Sequence, residues 1–154
     1  MKKKAKGFTL IELMIVISII GMLAGLSTIG YQGARASSRD ARRKADIEDL
    51  RTALEIYRSD CGSYPATLPV AGVALVGTSA TGTCLTSNTY MSQIPADPQS
   101  SKGYLYEYKA GASNRTYTLC STLENGNSTG SVCGGDASKN CGVANGCRYT
   151  AINP

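Results

Sequence analysis

"FTLIELMIVISIIGMLAGL", residues 8–26, decides the fold. It is apolar on every side of a helical projection, whereas a helix packed in a soluble core would keep one polar face. No charged residue occurs between 13 and 34. About 20 apolar residues in helical form cross a bilayer, so the stretch predicts a transmembrane helix. Glu12 is the exception. A carboxylate at mid-bilayer depth costs about 2.5–3.5 kcal/mol on insertion scales, and such a group calls for a partner.

Upstream lie Lys2, Lys3, Lys4 and Lys6, four of the 16 basic residues in a chain of net charge +5. Without them twelve basic side chains face 11 acidic ones, a net charge of +1. The basicity therefore belongs to the leader. A positive cluster directly before an apolar run predicts that residues 1–6 stay cytoplasmic and the C-terminal part is exported. The exported basic residues, Lys102, Lys109, Arg115, Lys139 and Arg148, are scattered, which argues against a nucleic-acid surface.

Downstream, "RASSRDARRKADIEDLRTALEIYRSD" (35–60) is dense in charge, but Ile47, Leu50, Leu54 and Tyr57 recur at helical spacing and line one face. No proline precedes Pro65, so one helix is expected over 8–60, about 80 Å long at 1.5 Å per residue. Gly62 and Pro65 supply the stop. A polar loop carrying "VAGVALVG" (70–77) is expected through about 88. Then "YLYEYKAG" (104–111) and "RTYTLCSTL" (115–123) alternate as two antiparallel strands around a turn at 111–114. In the first, Tyr104, Tyr106 and Tyr108 share a face; in the second, Tyr117 and Leu119 do. The tail from 125 is rich in Gly, Ser and Asn and is expected to be held by cysteines rather than by a core of its own. The fold class is α+β: one long helix packed on a small antiparallel sheet, with a disulfide-closed C-terminal region.

All six cysteines follow the apolar span. An even number in a small exported domain implies disulfides. Fifteen pairings are possible, and chain order favours Cys61 with Cys84, Cys120 with Cys133 and Cys141 with Cys147. Zinc is disfavoured, because the chain has no histidine and no C-x-x-C. The same want of a histidine base, of a phosphate-binding glycine loop and of clustered carboxylates argues against an enzyme. No resident cofactor is expected from the residues alone.

"KGFTLIEL" (6–13) closely resembles the N-terminal signature of type IV prepilins and the related pseudopilins of type II secretion. The resemblance implies a pilin-like fold and cleavage between Gly7 and Phe8 by a membrane prepilin peptidase, which also methylates the new amine. It implies that Glu12 meets the positive amine of Phe8 on a neighbouring subunit, so the costly carboxylate becomes half of an intersubunit ion pair. Residues 1–7 would then be a removed leader, 8–34 the membrane and assembly half of the helix, 35–60 its amphipathic half and 61–154 the exported region. The implied partners are further copies or related pilins in a helical filament, an assembly ATPase and a platform protein. The implied location is the cytoplasmic membrane, crossed once with the C-terminal domain outside, and then an extracellular pilus. The function expected is a structural subunit of a type IV pilus-like filament; the alternatives are a secretion pseudopilin, or a minor pilin for adhesion or DNA uptake.

Gly21 and Gly25 form a G-x-x-x-G that permits close helix approach. Many pilins have a proline near the position of Ile29; here only Gly30 and Gly33 are available to loosen the helix. "DLRTALEIYRSDCGSYP" (49–65) and "IPADP" (94–98) resemble corresponding segments of major pseudopilins, some of which bind calcium after the Asp-Pro. The carboxylates on offer for such a site are Asp97, Glu107 and the distant Asp136.

Overall fold

The computed structural model describes residues 7–125, 133, 141, 147 and 149–152, with the backbone alone for 27–30. The leader lysines Lys2, Lys3, Lys4 and Lys6 lie outside the described residues, as do Asp136, Lys139 and Arg148. Helix α1 covers Leu10–Cys61 and passes through Gly30 and Gly33 without a break. It ends where expected: Gly62 has a φ of 76°, the left-handed region open to glycine, and its N–H bonds to the Arg58 carbonyl at 2.8 Å.

The chain divides into two compact units, Met1–Ser37 and Ser38–Pro154. In the first, the large apolar side chains described from Phe8 to Tyr31 are exposed. Its helical segment is long and apolar enough to cross a membrane, with a mean hydropathy of 2.3 over 18 residues. Such a surface is stable only against lipid or other apolar helices.

The second unit holds the core. Ile47, Leu50, Leu54 and Tyr57, the stripe read from the spacing, are at most 3% exposed and pack with Tyr64, Leu75, Ile94, Tyr108, Tyr117, Leu119 and Ala151. Tyr64 and Tyr117 meet edge to face at 4.6 Å between ring centres, a favoured aromatic geometry. Their hydroxyls both donate to Glu55, at 2.9 and 3.3 Å, so the polar ends of the buried rings are satisfied on the helix itself.

Two antiparallel sheets complete the unit. Strands β1 (Leu75–Val76) and β2 (Thr89–Met91) form a small ribbon. Strands β3 (Glu107–Ala110), β4 (Tyr117–Ser121) and β5 (Tyr149–Ile152) form the other, in the order β3-β4-β5. The turn between β3 and β4 falls at Ala112–Asn114, and Ala110 pairs with Tyr117. Tyr117 and Leu119 point into the core as expected.

Three expectations need correction. The first alternating run is a strand only over its second half, because Tyr104 and Tyr106 are drawn to the helix. The Tyr104 ring lies 5.0 Å from the Arg43 guanidinium, and the Tyr106 hydroxyl donates to Asp46 at 2.6 Å. The loop expected through residue 88 contains β1, and Gly77 just after it is required by close approach, since a Cβ there would collide with the backbone carbonyls of Cys84 and Leu85. The tail, finally, returns as β5, pairing Ala151 with Leu119 and contributing Ala151 to the core.

Disulfides join Cys61 to Cys84, Cys120 to Cys133 and Cys141 to Cys147. The last four cysteines form a buried cluster of their own.

Candidate functional site

The start of α1 is built by its own residues. Gly7 and Phe8 precede the helix, and Phe8 is 85% exposed. Thr9 is the N-cap and Glu12 the third helical residue. The Glu12 carboxylate accepts from the Thr9 N–H at 2.8 Å and from the Thr9 hydroxyl at 2.7 Å, while the Glu12 N–H donates back to the Thr9 hydroxyl at 3.3 Å. This is a capping box, in which two otherwise unpaired helix donors are satisfied reciprocally. Within one subunit Glu12 therefore has a partner, which the sequence reading missed. The signal was present as T-x-x-E directly before an apolar run.

Further along the same unit, Ser18 donates its hydroxyl to the Met14 carbonyl at 2.9 Å, so its polar group is satisfied without leaving the apolar surface. Among the described residues, a Cβ on Gly21 or Gly25 would meet nothing within 4 Å. Side-chain packing among the described residues does not explain those glycines. Arg35 stacks on the Tyr31 ring at 4.5 Å, where the apolar run gives way to charge.

A second polar cluster lies inside the second unit. The Arg43 side chain is fully buried, and its guanidinium is saturated with acceptors. Nε and Nη2 donate to the two carboxylate oxygens of Asp97 at 2.8 and 3.1 Å. Nη1 donates to Asp40 at 2.8 Å and to Glu124 at 2.9 Å, and Nη2 also reaches Gln99 at 3.2 Å. Asp40 in turn accepts the backbone N–H groups of Glu124 and Asn125, each at 2.9 Å. Arg39 grips Glu124 with two bonds of 2.6 Å. Burial works against the Arg43 charge, but the bonds to Asp97, Glu124 and Asp40 outweigh it and hold its pKa above the usual arginine value.

Asp97 is thus where the Ala-Asp-Pro motif suggested something would be bound, but what it binds is an arginine. Both of its carboxylate oxygens are engaged by Arg43, and Oδ1 also accepts the Gln99 N–H at 2.7 Å. Glu107 sits on β3 opposite Cys120, and Asp136 lies outside the described residues. Asp97 and Glu107, the two described members of that donor set, do not by themselves fit a calcium ion, which takes six to eight oxygens. Among the described residues no group of three or more His, Cys, Asp or Glu is arranged to hold a metal.

Glu124 makes this cluster sensitive to acid. The hydrogen bonds from Arg39, opposed by burial and reinforced by Arg43, lower its carboxyl from 4.5 to about 2. A carboxylate with a depressed folded-state pKa contributes stability that is fully present above its unfolded value and is lost as the pH falls through the folded one. Glu124→Gln is therefore expected to lower the urea midpoint at neutral pH. The gap to wild type should close between about pH 4.5 and about pH 2. A gap of constant size over that range would mean that the Glu124 charge contributes nothing.

Comparison with known proteins gives two family matches. Residues 2–28 match the prokaryotic N-terminal methylation motif, and residues 30–139 match type II secretion system (T2SS) protein G. Type II secretion system core protein G of Pseudomonas aeruginosa is 30% identical over 134 residues, which cover 84% of this chain and 91% of that protein. Fimbrial protein EcpC of Eikenella corrodens is 43% identical over 74 residues, 48% of each chain. Type IV major fimbrial protein FimA of Dichelobacter nodosus is 49% identical over 55 residues, 36% of this chain and 35% of that one. No solved structure matches the chain.

Proposed function

The chain belongs to the type II secretion system protein G family, and from that premise we propose that it is a pseudopilin, a structural subunit rather than an enzyme. It is cut between Gly7 and Phe8, methylated on the new amine, held in the cytoplasmic membrane by α1 with the rest of the chain outside, and polymerised through the apolar half of that helix. The observation that carries the choice of pseudopilin over pilus is the reach of the protein G match. It runs from residue 30 to 139, through the exported unit, whereas the similarity to the two fimbrial proteins covers at most 48% of the chain.

The geometry supports a polymer formed through the helix. The described apolar side chains from Phe8 to Tyr31 are exposed, and among the described residues nothing stands within 4 Å of a Cβ placed on Gly21 or Gly25, a pattern that suits the close approach of another helix. Gly7 and Phe8 stand in non-helical backbone before the cap, where a protease can take hold of an extended chain. The implied machinery is a prepilin peptidase, a platform protein and an assembly ATPase. A second reading, a surface pilus, draws on the fimbrial relatives.

N-terminal peptide mass spectrometry separates the two, run on membranes and on sheared surface material from native cells. The pseudopilin reading expects N-methylated Phe8 in the membranes and shearable fibres only on overproduction. Methylated Phe8 in abundant sheared fibres at native expression would make it a pilus subunit, and residues 1–7 intact in both fractions would remove either role.

A further inference from the structure

We propose that Arg43 holds the place of a bound cation in the cluster of Asp40, Asp97 and Glu124, so that the Asp97 loop and residues 124–125 are closed onto the helix there without a divalent metal ion. The acceptors around its guanidinium come from three separate parts of the chain: Asp40 from α1, Asp97 and Gln99 from the segment before β3, and Glu124 from the segment after β4. A bound calcium ion works in a similar way, gathering oxygens from distant segments around one positive charge. The guanidinium does so with directed donors and with its charge covalently in place. The face of the Tyr104 ring lies over the same group.

Charge supports the assignment. Three carboxylates, Asp40, Asp97 and Glu124, are met by two guanidinium groups, Arg39 and Arg43, leaving a net charge of −1. A divalent ion added there would leave an excess of positive charge in a buried site. The oxygens it would need are already accepting hydrogen bonds at 2.6 to 3.2 Å.

The test is thermal unfolding of the full-length protein in detergent micelles, followed by near-ultraviolet circular dichroism of the buried tyrosines, once with calcium chloride and once with EGTA. The two wild-type midpoints should agree within about 1 °C, whereas an ion bound at about 100 times its dissociation constant would raise the midpoint by about 10 °C. Arg43→Gln should lose about 10 °C in both solutions, since it leaves carboxylates buried without their cation. Arg43→Lys, which keeps the charge and loses the fork, should lose several degrees in both and serves if the glutamine variant does not fold. A wild-type midpoint that rises with calcium by about 5 °C or more overturns the proposal. So does a midpoint left unchanged by both Arg43 variants.

Discussion

Glu12→Gln is expected to abolish polymerisation while leaving removal of residues 1–7 intact. The reason lies in what Glu12 does before and after assembly. Within the subunit its carboxylate closes the capping box with Thr9. The apolar side chains around it, exposed where they are described between Phe8 and Tyr31, need lipid or neighbouring helices. Once buried among such helices, a carboxylate is costly unless a positive group meets it. The proposed group is the Phe8 amine of the next subunit. Removing one partner of a buried ion pair costs about 3–5 kcal/mol, or about two to three and a half orders of magnitude in a subunit's affinity for the filament end.

Glutamine is the informative replacement because it keeps the cap. A capping box accepts Gln in place of Glu at this position, so Glu12→Gln loses the charge and retains most of the local helix start. Thr9→Ala does the reverse, and loses about 1 kcal/mol of cap while keeping the charge. The expected order of filament yield, measured by immunoblot of material sheared from overproducing cells, is wild type, then Thr9→Ala, then Glu12→Gln with none. Processing is read in the same samples from the size of the product. Filaments at wild-type yield from Glu12→Gln would falsify the ion-pair role, and equal losses from the two variants would reduce Glu12 to a capping residue.

Much of the fold could be read because its determinants are local. Ile47, Leu50, Leu54 and Tyr57 repeat at the helical period, Gly62 stops the helix, and the alternation around Tyr117 and Leu119 is that of a strand with one buried face. What could not be read depends on distant partners. β5 is four residues after a Gly-rich tail and is a strand only because β4 offers it a free edge, with Thr118 opposite Ile152. Tyr104 and Tyr106 alternate like strand residues, but the tertiary attractions of Arg43 and Asp46 override that pattern.

The Arg43 cluster was hidden for a different reason. In "RDARRKAD" (39–46) the basic residues look alike, and only position separates them. Arg43 precedes Ile47 by four residues and Leu50 by seven, so it continues the core stripe, whereas its neighbours Arg42 and Lys44 are exposed. That spacing is a usable signal for an inward arginine, but it does not name the distant acceptors Asp97 and Glu124, which come from 54 and 81 residues further on. The assembly residues are the converse case. Phe8 and Glu12 stand out by resemblance, while the contacts proposed for them lie between subunits.

The second large effect is expected from the disulfides, where two physical terms disagree about which bridge matters more. Cys61 and Cys84 are 23 residues apart and Cys120 and Cys133 are 13 apart, so chain entropy alone ranks the first bridge higher, by about 0.5 kcal/mol. Burial ranks them the other way. Cys120 and Cys133 are both 0% exposed and pack with Cys141 and Cys147, whereas Cys61 and Cys84 are only partly buried at the edge of the main core. Replacing a fully buried cysteine pair by alanine removes two sulfur atoms from a packed cluster, at about 1 kcal/mol each or more with the cavity. That exceeds the entropic difference. Cys120 also lies on β4 opposite Thr150, so its bridge helps bring the tail back to the strand that β5 pairs with. Cys120→Ala with Cys133→Ala is therefore expected to lose about 4 kcal/mol, the upper part of the range for a native bridge in a small domain. Cys61→Ala with Cys84→Ala should lose about 3 kcal/mol. Urea unfolding of the two double variants measures the order directly. If the Cys61–Cys84 pair proves the costlier, loop closure outweighs packing in this domain, and the tail is held chiefly by β5 and by the bonds from Asp40 to Glu124 and Asn125.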